Sequence, residues 1–430
     1  MRQTMKFNFI YNQSNLSFEI NEKNLLFYLT IGKLPKINKV DKAIIDSLLN
    51  PIDCEPLEKI VNGKKNIVLI ADDLTRPTPQ RQIIPILLKE LNKYGISDDM
   101  ITLVIATGTH RPMTKNEIIK RFGKEITQRI KIVNHDYRVE NCIDLGFTKK
   151  RTPIQINPIV YNADVKISIG TVVPHPLAGW GGGGKMIQPG VCSELTTNYT
   201  HFMGGVYENV LELIGNENNF VRKEMEAVAE QVGLDFIINT VQDLNENIVG
   251  IFAGHFISAH REAIKCAEKM FRPTIPERAD IVIVNAYPAN LDYWQGYKPY
   301  VFSLLAVKEG GIVIFVIDAP EGVSGGAPKH RDILLNWCNK EPEIILKNLD
   351  SGKIKDRSCG AICVSQARLL KRAKVFCISQ GMTDQEITDL GFLPFSSIQS
   401  AIQQALLELG ENVKIGVMPF GGETVVRVKE

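Results

Sequence analysis

The stretch VKISIGTVVPHPLAGWGGGGKM, Val165–Met186, decides how this chain is read. Val165–Gly170 is a short apolar run of strand length that passes directly into a proline- and glycine-rich loop. A buried strand feeding such a loop belongs to a parallel α/β sheet, where ligands bind beyond the carboxyl ends of the strands. The same pattern recurs on either side. Asn66–Ala71 (NIVLIA), Ile101–Thr107, Ile130–Asn134 and Leu234–Val241 read as strands. Pro79–Tyr94 reads as a helix with apolar residues at 83, 84, 87, 88 and 91. Lys115–Phe122 and Phe220–Gln231 are further helices, the second turning Met225 and Val228 inward. Ahead of these, Lys6–Tyr11 and Leu16–Ile20 alternate across Asn-Gln-Ser-Asn, which predicts a hairpin.

A helix ends near Met270, and FRPTIPERAD (271–280) then supplies two prolines before a second α/β series. Ile281–Asn285 and Gly311–Ile317 read as its first strands, with a helix from Tyr300 to Lys308 between them. Val375–Ile378 and Val413–Val417 are later strands, with helices over 361–372 and 397–408. The expected fold class is α/β, with two α/β domains of mostly parallel sheets and an active-site cleft between them. The expected boundaries are residues 1–270, a linker over 271–275, a second domain over 276–415, and a tail over 416–430 that folds back onto the first domain.

Composition narrows the function. At roughly 150 residues per domain, 430 residues make two to three domains. A content of 44% hydrophobic and 23% charged residues excludes a disordered chain and a coiled-coil rod. Fifty Lys and Arg against 48 Asp and Glu leave a net charge of +2, so no basic excess calls for nucleic acid. The apolar runs fall far short of the ~20 residues of a membrane span, and MRQTMKFNFIYNQ has no secretory core. Cysteines 54, 142, 192, 266, 338, 359, 363 and 377 form no CxxC pair and read as scattered reduced core thiols. A cytoplasmic protein with no nucleic-acid or membrane partner is expected.

Three segments carry chemistry. In the first, Gly181, Gly182, Gly183 and Gly184 precede Lys185, and Gly179-x4-Gly184-Lys185 matches a phosphate-binding loop up to its eighth position. That position should hold magnesium through Ser or Thr, and here it is Met186. Two readings stay open: a flexible loop with a solvated lysine, or a loop around a phosphorylated ligand with Lys185 placed to react or pair with it. Histidines at distinctive places are His110 in ATGTHRPMT, His175 between two prolines, and His201 sixteen residues after Lys185. Each can serve as base, acid or metal ligand. His255 and His260 read as structural and His330 as an exposed residue at a helix start. In the second segment, DDLTRPTP (72–79), Thr75, Arg76 and Thr78 precede a helix start, as for a phosphate or carboxylate site or a plain capped helix. The third, NLDYWQGYKP (290–299), sets Gln295 and Lys298 on one helix face among three aromatics, as a ligand site or an aromatic patch.

Together these segments resemble the nickel-dependent lactate racemase family, whose members use a nickel-pincer nucleotide. The resemblance rests on DDLTRPTP (72–79), GTHRP (108–112), PHPLAGWGGGGK (174–185), PG (189–190), His201 and WQGYK (294–298), in the family's order over about residues 70–300. It implies nickel held by a pyridinium-3-thioamide-5-thiocarboxylic acid mononucleotide, supplied by separate maturation proteins and attached through Lys185. His201 would be the protein's nickel ligand, and His110 and His175 the paired acid/base residues. Asp73, Thr75, Arg76 and the glycines 181–184 would surround the nucleotide. Arg76, Trp294, Gln295 and Lys298 would face the substrate. Residues 1–270 would then be the cofactor-binding and catalytic domain, and the second domain would contribute substrate residues.

The implied activity is an isomerase that racemises or epimerises a 2-hydroxy acid. Hydride leaves to the cofactor, a 2-keto acid forms, and hydride returns to the opposite face. In this view two histidines stand on two sides of the substrate because each face needs its own proton carrier. Trp294 stands where the resemblance leads one to expect a smaller tyrosine, which points to acids longer or more polar than lactate, sugar acids included. The alternative is a phosphate- or nucleotide-binding protein that uses the 179–185 loop without racemase activity.

Overall fold

A computed structural model describes residues 3–12 and 14–429. Strands β1 (Thr4–Tyr11) and β2 (Ser14–Asn21) pair antiparallel as the alternation predicts, and Gln13 of the expected turn lies outside the described residues. A short strand, β3 (Leu25–Tyr28), follows. These three elements join the second sheet. Phe7, Phe9, Phe18 and Ile20 pack with Ile281, Ile283, Ile312 and Ile314, and β3 pairs in parallel with the strand that ends at Met418. The expected first domain of residues 1–270 is corrected accordingly, because the apolar face of the hairpin is buried against the second sheet.

The first sheet comprises β4 (Ile67–Asp72), β5 (Ile101–Ala106), β6 (Lys131–Asn134), β7 (Val165–Thr171), β8 (Phe236–Gln242) and β9 (Ile248–Gly254). Their spatial order is β9-β8-β7-β4-β5-β6, with every pair parallel except β8–β9. Strands β4 and β7 are buried at every position, which is why they read as continuous apolar runs. Helix α1 (Gln80–Lys93) buries Ile83, Ile84, Leu87, Leu88 and Leu91, the expected stripe. Helix α2 (Lys115–Phe122) opens on a capping box between Thr114 and Glu117. Helices α3 (Glu194–Gly205), α4 (Phe220–Val232) and α5 (Ser258–Phe271) complete this half.

The second sheet runs β13-β12-β11-β10-β14-β3 and is parallel throughout. Its own strands are β10 (Ala279–Asn285), β11 (Val307–Val316), β12 (Lys374–Ile378), β13 (Leu393–Pro394) and β14 (Ile415–Met418). Two helices matter for the site, α6 (Tyr293–Ser303) and α7 (Arg357–Leu370). The helix expected from Tyr300 thus begins at Tyr293, because Asp292 caps it by accepting the Gln295 N–H at 2.8 Å. Val307 and Lys308, read as its end, open β11. The expected break at residue 415 cuts through β14. Beyond that strand the chain returns to the linker, where Arg427–Val428 pair with Thr274–Ile275.

Strand order reverses at β4 in the first sheet and at β10 in the second. Ligand clefts of open α/β sheets lie at such reversals.

Candidate active site

The loops beyond β4, β5 and β7, together with helices α3, α6 and α7, line one cavity. It gathers Asp73, Thr75, Arg76, His110, His175, Lys185 and His201 with Trp294, Gln295 and Lys298. Residues more than 200 positions apart in sequence meet because loops beyond strand ends carry one set, and helices α3 and α6 carry His201, Trp294, Gln295 and Lys298 to the same place.

Past β4, two neighbouring carboxylates do different work. Buried Asp72 accepts from Thr78 Oγ1, from Gln80 Nε2 at 3.0 Å and from Arg121 at 2.6 Å, which locks the start of α1 and ties α2 to it. Asp73 accepts from the Thr75 N–H at 3.0 Å and hydroxyl at 2.6 Å, and lies 2.8 Å from Nδ1 of His110. Burial opposes its ionisation, yet the His110 ring, the Thr75 hydroxyl and Arg76 hold its carboxyl well below the usual range. Asp73 was expected around the nucleotide. In this structure its oxygens bond His110 and Thr75. Arg76 donates to the Thr75 carbonyl at 2.9 Å and hydroxyl at 3.0 Å.

The glycine run is a packed wall. Arg222 on α4 is fully buried and donates to the carbonyls of Ala178 (3.0 Å), Gly182 (3.2 Å) and Trp180. His260 on α5, expected to be structural, donates from Nε2 to the Gly181 carbonyl at 2.7 Å. The Gly183 N–H donates to Asn239 Oδ1 at 3.0 Å. At Gly183, φ is +58° and a Cβ would come within 2.8 Å of the His260 ring, so only glycine fits. Gly181 and Gly182 line the cavity, whereas Gly183 packs against α5 and Gly184 against α4. Two of the four N–H groups of the run are thus taken, that of Gly181 by the Val173 carbonyl at 2.7 Å and that of Gly183 by Asn239.

Lys185 follows this wall on a short 3-10 turn. Burial and the charges of Arg76 and Arg222 hold its ammonium well below the usual range, so its amine is available as a nucleophile. On α3, Nδ1 of His201 donates to the Thr197 carbonyl, four residues back, at 3.0 Å. The Nε2 lone pair is left free, and burial with Lys185 lowers the ring's pKa to about 4. A neutral imidazole with its tautomer set by a backbone carbonyl is a metal ligand in waiting. Among the described residues no group of three or more His, Cys, Asp or Glu side chains could hold a metal. A metal here would take its other ligands from a bound organic group, and a lysine amine lies on the same wall to tether one. The donor set therefore fits a pincer-type cofactor.

The second domain closes the cavity through Trp294, Gln295 and Lys298 on α6. Burial, Arg76 and Lys185 depress the Lys298 ammonium, with Asp73 and Glu423 opposing. His330, expected to be exposed, is 1% exposed and bonds Asp356 at 3.2 Å, and its ring packs tilted against Trp294 with the centroids 4.2 Å apart. Sequence reasoning missed Ser358 and Ile362 of α7, which line the cavity, and Thr197. The Ser358 hydroxyl donates to Asn198 Oδ1 of α3 at 2.7 Å and joins the two domains there. Arg222 was also missed, although it stands three residues before Met225 on the inward face.

The fold and site define an α/β protein whose candidate active-site groups meet between the carboxyl edges of two mostly parallel sheets. Residues 11–211 match the lactate racemase N-terminal domain and residues 275–426 the lactate racemase C-terminal domain. A lactate racemase of Thermoanaerobacterium thermosaccharolyticum is 30% identical over 97% of this chain and 98% of its own length. One from Lactiplantibacillus plantarum is 28% identical, with 97% and 98% covered. The structure of the Thermoanaerobacterium apoprotein superposes with a TM-score of 0.86 at 29% identity, covering 98% of this chain and 100% of that one. A Thermotoga maritima protein at 17% identity and TM-score 0.72, covering 93% and 100%, shares the fold. The chain belongs to the lactate racemase family and is an isomerase, a racemase by class.

Proposed function

We propose that this protein inverts a 2-hydroxy acid at C2 with a nickel-pincer nucleotide tethered to Lys185 and ligated by His201. When bound, that cofactor accepts hydride from C2 and returns it. The chain's own groups do the rest. Arg76 and Lys298, one from each domain, bind the carboxylate through their N–H donors. His110 and His175 handle the proton of the hydroxyl as the oxygen becomes a ketone. The keto acid turns and takes hydride back on its other face. The observation that carries this reading is the meeting of two imidazoles, an arginine, two buried lysines and a tautomer-fixed histidine around one cavity.

The relatives named lactate racemase make lactate the first acid to test. The wall of Trp294, Ser358 and Ile362 facing the same cavity supports extending the trial to longer and more polar acids, sugar acids included. Eight free thiols support a reducing, cytoplasmic setting, where maturation proteins would deliver the cofactor. The test is co-expression with such maturation proteins. About one nickel per chain, a covalent adduct at Lys185 and interconversion of enantiomers within a 2-hydroxy acid panel are expected. A chain that carries neither nickel nor adduct, and interconverts none of the panel, rejects the proposal.

A further inference from the structure

Nδ1 of His175 accepts two backbone N–H groups, from Leu177 at 3.2 Å and Ala178 at 3.1 Å. A backbone N–H can only donate, so Nδ1 holds the lone pair and the ring proton sits on Nε2. His110 is the reverse. Its Nδ1 faces the ionised Asp73 at 2.8 Å and donates to it, which leaves the lone pair on Nε2. The two imidazoles on this cavity therefore hold opposite tautomers.

We infer that they do not exchange roles: His110 is the base for both enantiomers, and His175 is a fixed Nε2–H donor that keeps its proton. The inference rests on the racemase reading above and revises the view that each face has its own base. For His175 to act as a base, its proton must move to Nδ1. There it would point at two N–H groups, with both hydrogen bonds lost. Nor does the ring become cationic. Burial pushes its pKa down, and the basic groups around it, Lys185, Arg76, Lys298 and His201, push the same way. His110 has a different neighbour, the Asp73 carboxylate, which holds its Nδ1–H and leaves the Nε2 lone pair open to take a proton.

The proton balance closes on one residue. The substrate O–H bond breaks and a bond to His110 Nε2 forms as hydride leaves C2. The same proton returns from His110 to the keto oxygen as hydride enters the other face. Throughout, His175 donates a hydrogen bond to that oxygen. The oxygen stays between the two rings, so the acid turns about its C–O axis and its carboxylate passes between Arg76 and Lys298.

The test is ¹⁵N NMR of the full chain with ring-labelled histidine, assigned through H110Q and H175Q, or H175N where H175Q does not fold. The His175 proton is expected on Nε2 and the His110 proton on Nδ1. A proton on Nδ1 of His175 overturns the inference. In the nickel-loaded enzyme, H175Q, whose amide donates but is no base, should stay within about tenfold of the unaltered enzyme, and H110Q should lose about 10²–10⁴-fold. Equal losses would also overturn it. Should the unaltered enzyme interconvert no acid, the racemase reading fails while the ring spectrum still decides the tautomers.

Discussion

Asp73 Oδ2 stands 2.8 Å from Nδ1 of His110, and the contact spans the ends of two adjacent strands, β4 and β5. The pair is possible because β4 ends at Asp72, so the next residue turns its carboxylate over the neighbouring loop. On the proposed mechanism this carboxylate orients the ring through its Nδ1–H. Asp73→Asn keeps the volume and removes the charge. It should lower kcat by about 10²–10⁴-fold while nickel content and the Lys185 adduct stay unchanged. A loss of adduct instead would return Asp73 to cofactor binding.

Lys185 owes its depressed ammonium first to burial and then to Arg76 and Arg222. In the cofactor-free chain it should therefore be carbamylated by cyanate at pH 7 faster than exposed lysines, as read by peptide mass spectrometry. Arg76→Gln removes a repelling charge, raises the lysine's pKa and should slow that reaction several-fold. An unchanged rate in the variant would count against the electrostatic origin.

Arg222 gives the glycine wall its shape by bonding three of its carbonyls. Arg222→Met takes the guanidinium from all three and leaves the Ala178 and Gly182 carbonyls only the N–H groups of Trp180 and Lys185. Urea unfolding should report a loss of about 3–5 kcal/mol. A loss below about 1 kcal/mol would mean that the wall holds its conformation without the guanidinium.

His135 is buried between the Cys192 carbonyl, to which Nε2 donates at 2.8 Å, and the Asn157 side-chain amide at 3.1 Å. Burial lowers its pKa to about 4. The unfolded ring titrates near 6.5, so between these values the unfolded chain binds more protons. The contribution of neutral His135 is complete above pH ~6.5 and is lost as pH falls through 4, a difference of about 3 kcal/mol. His135→Gln should flatten the slope of unfolding free energy against pH in that window. Parallel slopes in the two proteins would exclude the effect.

Much of this was readable from residue order. Apolar runs such as Ile67–Ala71 and Val165–Gly170 became central strands because both faces of a parallel sheet are covered. Lys185, His110, His175 and His201 could be singled out because each adjoins a strand end or a glycine loop. Helix α6 was placed too late for a local reason. Pro299 mimics a first-turn proline, yet it sits inside a helix that Asp292 has already capped. His330 was misplaced because nothing local announces that Trp294, 36 positions earlier, covers it.

Local order along the chain determined the strands, the loops that leave them and the reactive residue types those loops carry, because periodicity and backbone chemistry act over a few residues. Tertiary structure alone decided that β3 joins β14, that Asp73 serves His110, that Arg222 holds the glycine wall, and which nitrogen of each histidine bears the proton. Those outcomes depend on hydrogen bonds between groups distant in sequence or on the turn a loop adopts once packed. Such bonds exist only after the two sheets have brought their carboxyl edges together.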